Sequence, residues 1–376
     1  MRNMSAGELL PTTVAPALDA EALRIGHKLR EVGRALDARY LDKAELVRLL
    51  LVTLVAGEHM LIVGPPGTAK SALVRHLARL IDARYFEYLL TRFSEPNEIF
   101  KSNSAILNAL LSILNERRFF TGSASIKVPL SSLFGATNEV PNDDALGAVF
   151  DRFLVRASSD NLDSFHFHGL IERGIRAEIE ALIGQGEPAL RPMVTLAEIR
   201  TLQARLATLL QFPEEFLARY KSLCFQIRSE GVTLSDRRIV KLLKLCAASA
   251  VLDGRAAVDD GDLFVLRHVW NSVDQIPICD EIVAPVLERH RQEHPEARAA
   301  GPRARDLDGI LVELGAIRSL LLGGTPLSDV QLFSQLRNLQ DIRAALQTIG
   351  TDTAQAMAAE VDRLLEGVFE SSKWTS

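Results

Sequence analysis

Lys70 and Ser71 close an eight-residue run, Gly64-Pro65-Pro66-Gly67-Thr68-Ala69-Lys70-Ser71, whose residue types suit the holding of nucleotide phosphates. Small residues allow successive backbone N–H groups to turn inward around phosphate oxygens, and a helix that follows presents its positive end to them. In that pattern Lys70 contacts the β- and γ-phosphates and the Ser71 hydroxyl coordinates Mg²⁺, so ATP and Mg²⁺ are the expected cofactors. One position departs from it: Ala69 stands where the last glycine is expected. Alanine is small enough there provided its dihedrals are helical.

Other chemistry-bearing residues carry weaker signals. His166 and His168 alternate in a way that could put both on one side of a strand, but no third metal ligand is apparent. Arg117 and Arg118 end a helical run and could meet a subunit interface, a phosphate or simply solvent. Trp270 and Trp374 read as packing residues. Cys224, Cys246 and Cys279 lack Cys-x-x-Cys spacing and read as reduced thiols rather than a disulfide frame or metal site.

The phosphate-binding run needs a strand before it and a helix behind it. His59 to Val63 is a short apolar run of strand type, and Ser71 to Ile81 returns to helical period through Leu73, Val74, Leu77 and Leu80. Ahead of these, Leu18, Leu23, Ile25, Leu29, Val32 and Leu36 mark one helix and Ala44 to Ala56 a second, more buried one. Tyr85 to Thr91 and Leu130 to Ala136 are further strand candidates, and Ser104 to Arg118 is an amphipathic helix. Strands alternating with helices predict a doubly wound α/β domain with a mostly parallel sheet. Beyond Asp160 the pattern is helical, over Leu196 to Leu210, Glu214 to Ser229 and Asp236 to Leu252. Glu293 to Arg305 reads as a linker, followed by helical stretches at Leu307 to Leu322 and Val330 to Phe369. The expected domains are therefore an α/β nucleotide domain over 1–160, a helical lid over 161–290, and a linker with C-terminal helices over 291–376.

Composition bounds the function. The 376 residues are 47% hydrophobic and 24% charged, with a formal net charge of -5, which gives no electrostatic footprint for nucleic acid. Residues 1–16 lack a secretory pattern, and the most apolar stretch, Leu46 to Val55, is too short to span a bilayer, so a cytoplasmic location is expected.

From Tyr40 to Arg255 the chain resembles the MoxR family of AAA+ ATPases, most closely its RavA-like branch. The likeness rests on Gly64 to Ser71, Phe86-Glu87-Tyr88 with Thr91-Arg92-Phe93-Ser94, and Ala105 to Phe119. It continues through Ala136-Thr137-Asn138-Glu139, Phe150-Asp151-Arg152-Phe153, Ser235-Asp236-Arg237-Arg238 and Asp253-Gly254-Arg255. The resemblance implies Asn138 as sensor 1, Arg152 as the arginine finger offered to a neighbouring subunit, and Arg237 as sensor 2, with Arg238 a rival for that role. It also implies a ring, expected to be hexameric, with ATP between subunits, chaperone-like remodelling, and a partner bearing a von Willebrand factor A domain. A DNA-remodelling role is disfavoured by the net charge.

One family element is missing. Hydrolysis needs an apolar strand ending in Asp-Glu, to support Mg²⁺ and polarise water, and the family carries it just ahead of the helix beginning near Ser104. Here those preceding residues are Thr91-Arg92-Phe93-Ser94-Glu95-Pro96-Asn97-Glu98-Ile99-Phe100-Lys101, with no apolar strand. Ser94 to Phe100 resembles the family segment after the second strand, and Glu98 to Lys101 equally resembles the residues after the missing aspartate. The expectation is that a block of some tens of residues is absent between 100 and 101. Glu98 is the candidate stand-in for the catalytic glutamate, with Asn97 a poor substitute for the aspartate. The alternative to a working ATPase is thus a nucleotide-binding scaffold with little or no turnover.

Overall fold

The computed structural model describes residues 18–87, 111–140 (115, 122 and 123 excepted), 150–162, 191–209, 212–294, 303–322, 329–349 and 352–372, with short pieces between 169 and 182. Glu98, Asn97, His166, His168, Trp374 and the 94–101 segment lie outside the described residues. The chain divides into two compact units. One comprises Met1–Leu36, Leu46–Asp160 and Leu190–His290; the other comprises Asp37–Glu45, Asn161–Ala189 and Arg291–Ser376.

In the first unit, α1 (Ala20–Arg39) buries Ala22, Ile25, Gly26, Leu29, Val32, Gly33 and Leu36, a three-and-four stripe that makes one helical face apolar. Leu23, included in the sequence pattern, is instead exposed, because its position falls off that stripe. α2 (Ala44–Ala56) is buried from Leu46 to Ala56 except Arg48, as expected for a helix apolar all round. Gly57 ends it in the left-handed region, at φ 62.

The sheet at the centre is parallel. β1 (Met60–Val63) lies between β4 (Phe134–Thr137) and β5 (Val155–Ser158), with Ile62 opposite Ala136 on one side and Ala157 on the other. All four residues of β1 are buried, which is what a continuous apolar run between two parallel neighbours requires. α3 (Lys70–Leu80) covers the sheet with Leu73, Leu77 and Leu80. The strands and α3 thus form an α/β domain with a parallel sheet.

Several local expectations differ from the structure. Tyr85–Glu87 belongs to no strand, and Tyr85 and Phe86 are exposed rather than packed. The expected strand over Leu130 to Ala136 is shorter and later, because residues 128–133 run irregularly into β4. The helix expected to reach Arg118 ends before it: Arg117 turns left-handed at φ 54, and Arg118 opens an antiparallel hairpin, β2 (Arg118–Thr121) with β3 (Ala124–Lys127).

The lid is built from α4 (Leu196–Leu209), α5 (Glu214–Ser229), α6 (Asp236–Leu252) and α7 (Ile276–Glu293), with a 3₁₀ stretch at Asp260–His268. Thr195 and Glu198 form reciprocal backbone bonds at the start of α4, a capping box. Glu198 also binds Arg24 and Lys28 of α1, and the Lys28 ammonium, with the Thr195 N–H, draws its carboxyl down to about 2. At the end of α6, Asp253 accepts from both terminal nitrogens of Arg48 in α2, each at 2.9 Å.

Two buried arginines clamp lid to sheet. Arg156 of β5 donates to the Trp270 carbonyl at 2.7 Å, and Arg238 of α6 donates to the carbonyls of Leu154 and Val269, each at 3.0 Å. Burial pushes Arg156 down to about 10 and Arg238 to about 9, values that leave both charged at neutral pH. Trp270 is buried as a packing residue. The three thiols are free and buried, and burial raises Cys224 and Cys279 to about 11 and Cys246 well above its ordinary value.

In the second unit the C-terminal stretch forms three helices, α8 (Arg303–Leu322), α9 (Asp329–Ile349) and α10 (Asp352–Ser372). The run expected from Val330 to Phe369 is thus two helices, one ending at Ile349 and the next beginning at Asp352. Ile310, Leu314 and Ile317 pack with Leu339, Ile342 and Leu346 and with Met357, Val361 and Leu365, the three-and-four spacing of a helical bundle. No helix among the described residues is long and apolar enough to cross a membrane.

Candidate functional site

β1 delivers the chain into the phosphate-binding loop between the ends of its two neighbours. The Gly64 N–H donates to the Thr137 carbonyl at 3.1 Å, and the Ser159 N–H donates to the Val63 carbonyl at 2.7 Å. A Cβ on Gly64 would lie 2.2 Å from the Ser159 carbonyl oxygen, so only glycine passes here. The Ser159 hydroxyl then holds the Thr68 carbonyl at 3.1 Å, and the Thr68 hydroxyl bonds the Pro65 carbonyl at 3.0 Å. Gly67 is left-handed, at φ 86, with open space where a side chain would be.

Ala69 corrects the sequence expectation. Its dihedrals are not helical but left-handed, φ 61 and ψ 16, where L-residues carry a penalty of about 1 kcal/mol. The conformation turns the chain into α3 without a side-chain cap on its first amides. Those amides, with the open turn at Gly67, fit an anionic phosphate, and Ser71, exposed in the first turn, fits the Mg²⁺ ligand. The Lys70 ammonium is 2.6 Å from the carbonyls of both Gly64 and Pro65, buried at the mouth of the loop. Gly64, Pro65, Pro66, Gly67, Thr68, Ala69, Lys70 and Ser71 thus form one cradle.

Asn138, immediately after β4, brings its Oδ1 to 3.4 Å from Lys70 Nζ, so the sensor 1 candidate reaches the loop. The two arginine candidates meet elsewhere. Arg152 lies 3.3 Å and Arg237 3.4 Å from the same carboxylate oxygen of Asp151. Burial, with the neighbouring Arg237 charge, lowers Arg152 from its ordinary value. The other Asp151 oxygen accepts from Ser235, which also caps α6 by accepting from the Arg238 N–H. Arg237 and Arg238 differ sharply in burial. Arg238 is 1% exposed and committed to carbonyls and to Asn271, whereas the Arg237 side chain is 37% exposed.

Sequence reasoning missed Asp151 and Ser235 as organisers. A serine three residues before Arg238 at the head of an apolar-periodic helix is a capping signal that could have found one of them. Arg117 is half-buried and donates to the carbonyls of Leu130 and Gly57. Arg118 is exposed on the hairpin and donates to Ser125. No cluster of three metal-ligating side chains occurs among the described residues.

Comparison with known proteins follows the same lines. A model of the MoxR domain in the MoxR-vWA-beta-propeller ternary systems matches residues 27–102 and, separately, 97–204; a AAA lid domain model matches 215–283. Two uncharacterised proteins of Methanocaldococcus jannaschii are similar. MJ0079 is 32% identical over 308 positions, covering 72% of this chain and 77% of its own. MJ0812 is 33% identical over 286 positions, covering 66% and 72%. The crystal structure of a candidate ATPase from Cytophaga hutchinsonii shares the fold, with a TM-score of 0.56 at 17% identity, covering 71% of this chain and 96% of that one.

Proposed function

The chain belongs to the MoxR-type AAA+ ATPases, and from that premise we propose that it is a chaperone-like remodelling protein that works as a ring, with nucleotide held between subunits. The observation carrying this reading is the convergence of Lys70 and Asn138 in a loop shaped for phosphate, with Arg152 and Arg237 paired at the lid's foot. Lys70 and the loop amides would hold the phosphates of ATP, and Ser71 the Mg²⁺, whose charge would offset that of the phosphates. Asn138 would orient water or sense the terminal phosphate. Arg237 would touch that phosphate within the subunit, and Arg152 would reach the neighbour's.

The RavA-like branch, a hexameric ring and a cytoplasmic location are parts of the same proposal. So is a protein partner with a von Willebrand factor A domain, which the family model's description favours. A second reading, a nucleotide-binding scaffold without turnover, is favoured by the double match of residues 97–102.

Calorimetric titration with a non-hydrolysable ATP analogue and Mg²⁺, followed by sedimentation of the same samples, tests the proposal. Binding should drive assembly. Lys70→Ala should weaken binding by roughly 100-fold, about 2.7 kcal/mol, and abolish the shift. Tight binding with unchanged sedimentation would eliminate the ring.

A further inference from the structure

The ion pairs at Asp151 differ from others in the same unit in how closely the charges meet. Arg255 closes on Asp262 at 2.7 Å, Arg219 on Asp260 at 2.7 Å and Arg48 on Asp253 at 2.9 Å, the short distances of charge-assisted bonds. At Asp151 two arginines share one oxygen, Oδ2, and both stay long, Arg152 at 3.3 Å and Arg237 at 3.4 Å. The other oxygen accepts from the Ser235 hydroxyl at 3.1 Å, so it does not relieve the sharing. Two cations drawn to one oxygen repel each other, and each holds the other off its optimum. Arg152 registers this: after burial, the Arg237 charge is what lowers it from its ordinary value.

The backbone that carries Arg237 is held by its neighbours. Ser235 caps α6, and Arg238 donates to the carbonyls of Leu154 and Val269. Further along α6, Lys241 and Lys244 both pair with the buried Glu58 carboxylate, at 2.8 and 3.2 Å. The side chains of Asp151, Arg152 and Arg237 are by contrast half-buried. Long pairs that are open to water are weak, so a phosphate can take Arg237 from Asp151 while α6 stays in place. Its departure leaves Oδ2 to Arg152 alone and removes the repulsion between the two cations.

We propose that Asp151 is a positioning residue that couples two nucleotide sites: when the terminal phosphate in its own subunit takes Arg237, the carboxylate closes on Arg152 and sets it for the nucleotide of the neighbouring subunit. The inference rests on the ring reading above, which gives Arg237 and Arg152 their phosphates, and it gives Asp151 a role in that reading. Asp151 touches no phosphate and moves no proton; it acts through Arg152. Loading one subunit thus prepares the arginine that it offers to the next. Reciprocally, assembly favours nucleotide by the same factor by which nucleotide favours assembly.

The test compares the full chain with Asp151→Asn, which keeps an oxygen for Ser235 and removes the charge. Two quantities are read with a non-hydrolysable ATP analogue and Mg²⁺, and neither requires turnover. One is the affinity of the dissociated subunit for the analogue; the other is the ratio of assembly constants with and without it, by sedimentation. The full chain should give a ratio of at least about 5. Asp151→Asn should bind the analogue up to about 5-fold tighter, since Arg237 no longer has a competing anion, yet its ratio should fall to about 1. Asp151→Glu, which keeps the charge, should recover part of the ratio. In an Arg152→Ala background, Asp151→Asn should still tighten binding and leave the ratio where Arg152→Ala put it. A carboxylate that serves stability alone would weaken affinity and assembly together, and that result overturns the proposal, as does an unchanged ratio. If the full chain does not bind the analogue, or binds it without assembling, the ring reading fails and the proposal with it. Should Asp151→Asn fail to fold, Arg237→Gln decides. It should bind the analogue more weakly but, once saturated, assemble at least as tightly as the full chain; weaker assembly at saturation overturns the proposal.

Discussion

Ala136 and Ala157 are the same residue at the same level, each facing Ile62 across a parallel ladder. Yet Ala157 is buried at 2% exposure and Ala136 is exposed. Around Ala157 the sheet is finished: Arg156 reaches into the lid, Leu154 donates to the His59 carbonyl, and Ser159 supports the phosphate loop. β4, like β5, pairs only with β1 among the described residues, but Phe134 to Thr137 stay half-buried or exposed. Residue type and backbone pairing therefore do not decide burial; what packs against the strand does.

The sharpest way to break the comparison is to place a charge on each side in turn. Ala157→Lys should lower unfolding free energy by at least about 4 kcal/mol, or prevent folding, whereas Ala136→Lys should cost less than about 1 kcal/mol. Denaturant unfolding of the two variants gives the difference, and equal costs would mean that the flanks are equally enclosed.

Acid should then separate the two flanks. His59, just before β1, accepts the Leu133 N–H at Nδ1 on the β4 side, and its own carbonyl accepts the Leu154 N–H on the β5 side. Burial holds its imidazole down at about 4, below the ordinary 6.5. The unfolded chain thus binds the proton more readily, and stability falls as pH drops from 6.5 to about 4, by about 3 kcal/mol in all. A protonated Nδ1 cannot accept, so hydrogen exchange at residues 134–137 should quicken in this window before that at 155–158. His59→Gln should flatten the pH dependence; an unchanged slope would assign the acid sensitivity to other groups.

The smallest expected effect concerns the loop itself. Ala69→Gly relieves a left-handed alanine and should raise the thermal midpoint modestly, for a gain of up to about 1 kcal/mol. Loss of stability instead would mean that the methyl group packs usefully.

Much of the β1–β5 side was legible in the sequence because its signals are local. The Gly64 to Ser71 run has a type and spacing that few other structures need, and the stripe from Ala22 to Leu36 follows helical period. The hairpin of β2 and β3 was not legible, since Phe119 and Phe120 continue the apolar run of the preceding helix, and only Arg117's left-handed turn separates them. Arg237 and Arg238 are adjacent and identical in type. Which faces solvent depends on contacts with Leu154 and Val269, more than thirty residues away in either direction. Asp151 was hidden for the same reason, since its partners Ser235 and Arg237 come from the lid.

The buried thiols have a practical consequence. Cys224, Cys246 and Cys279 are enclosed and held in the unreactive protonated form, so they present little thiolate to a reagent. A cysteine introduced at an exposed position such as Ala136 would then be the favoured target of a maleimide dye or spin label, without first stripping the native ones. The molecule thus comes ready for site-directed spectroscopy, and the exposed flank of β4 can be watched directly while nucleotide is added.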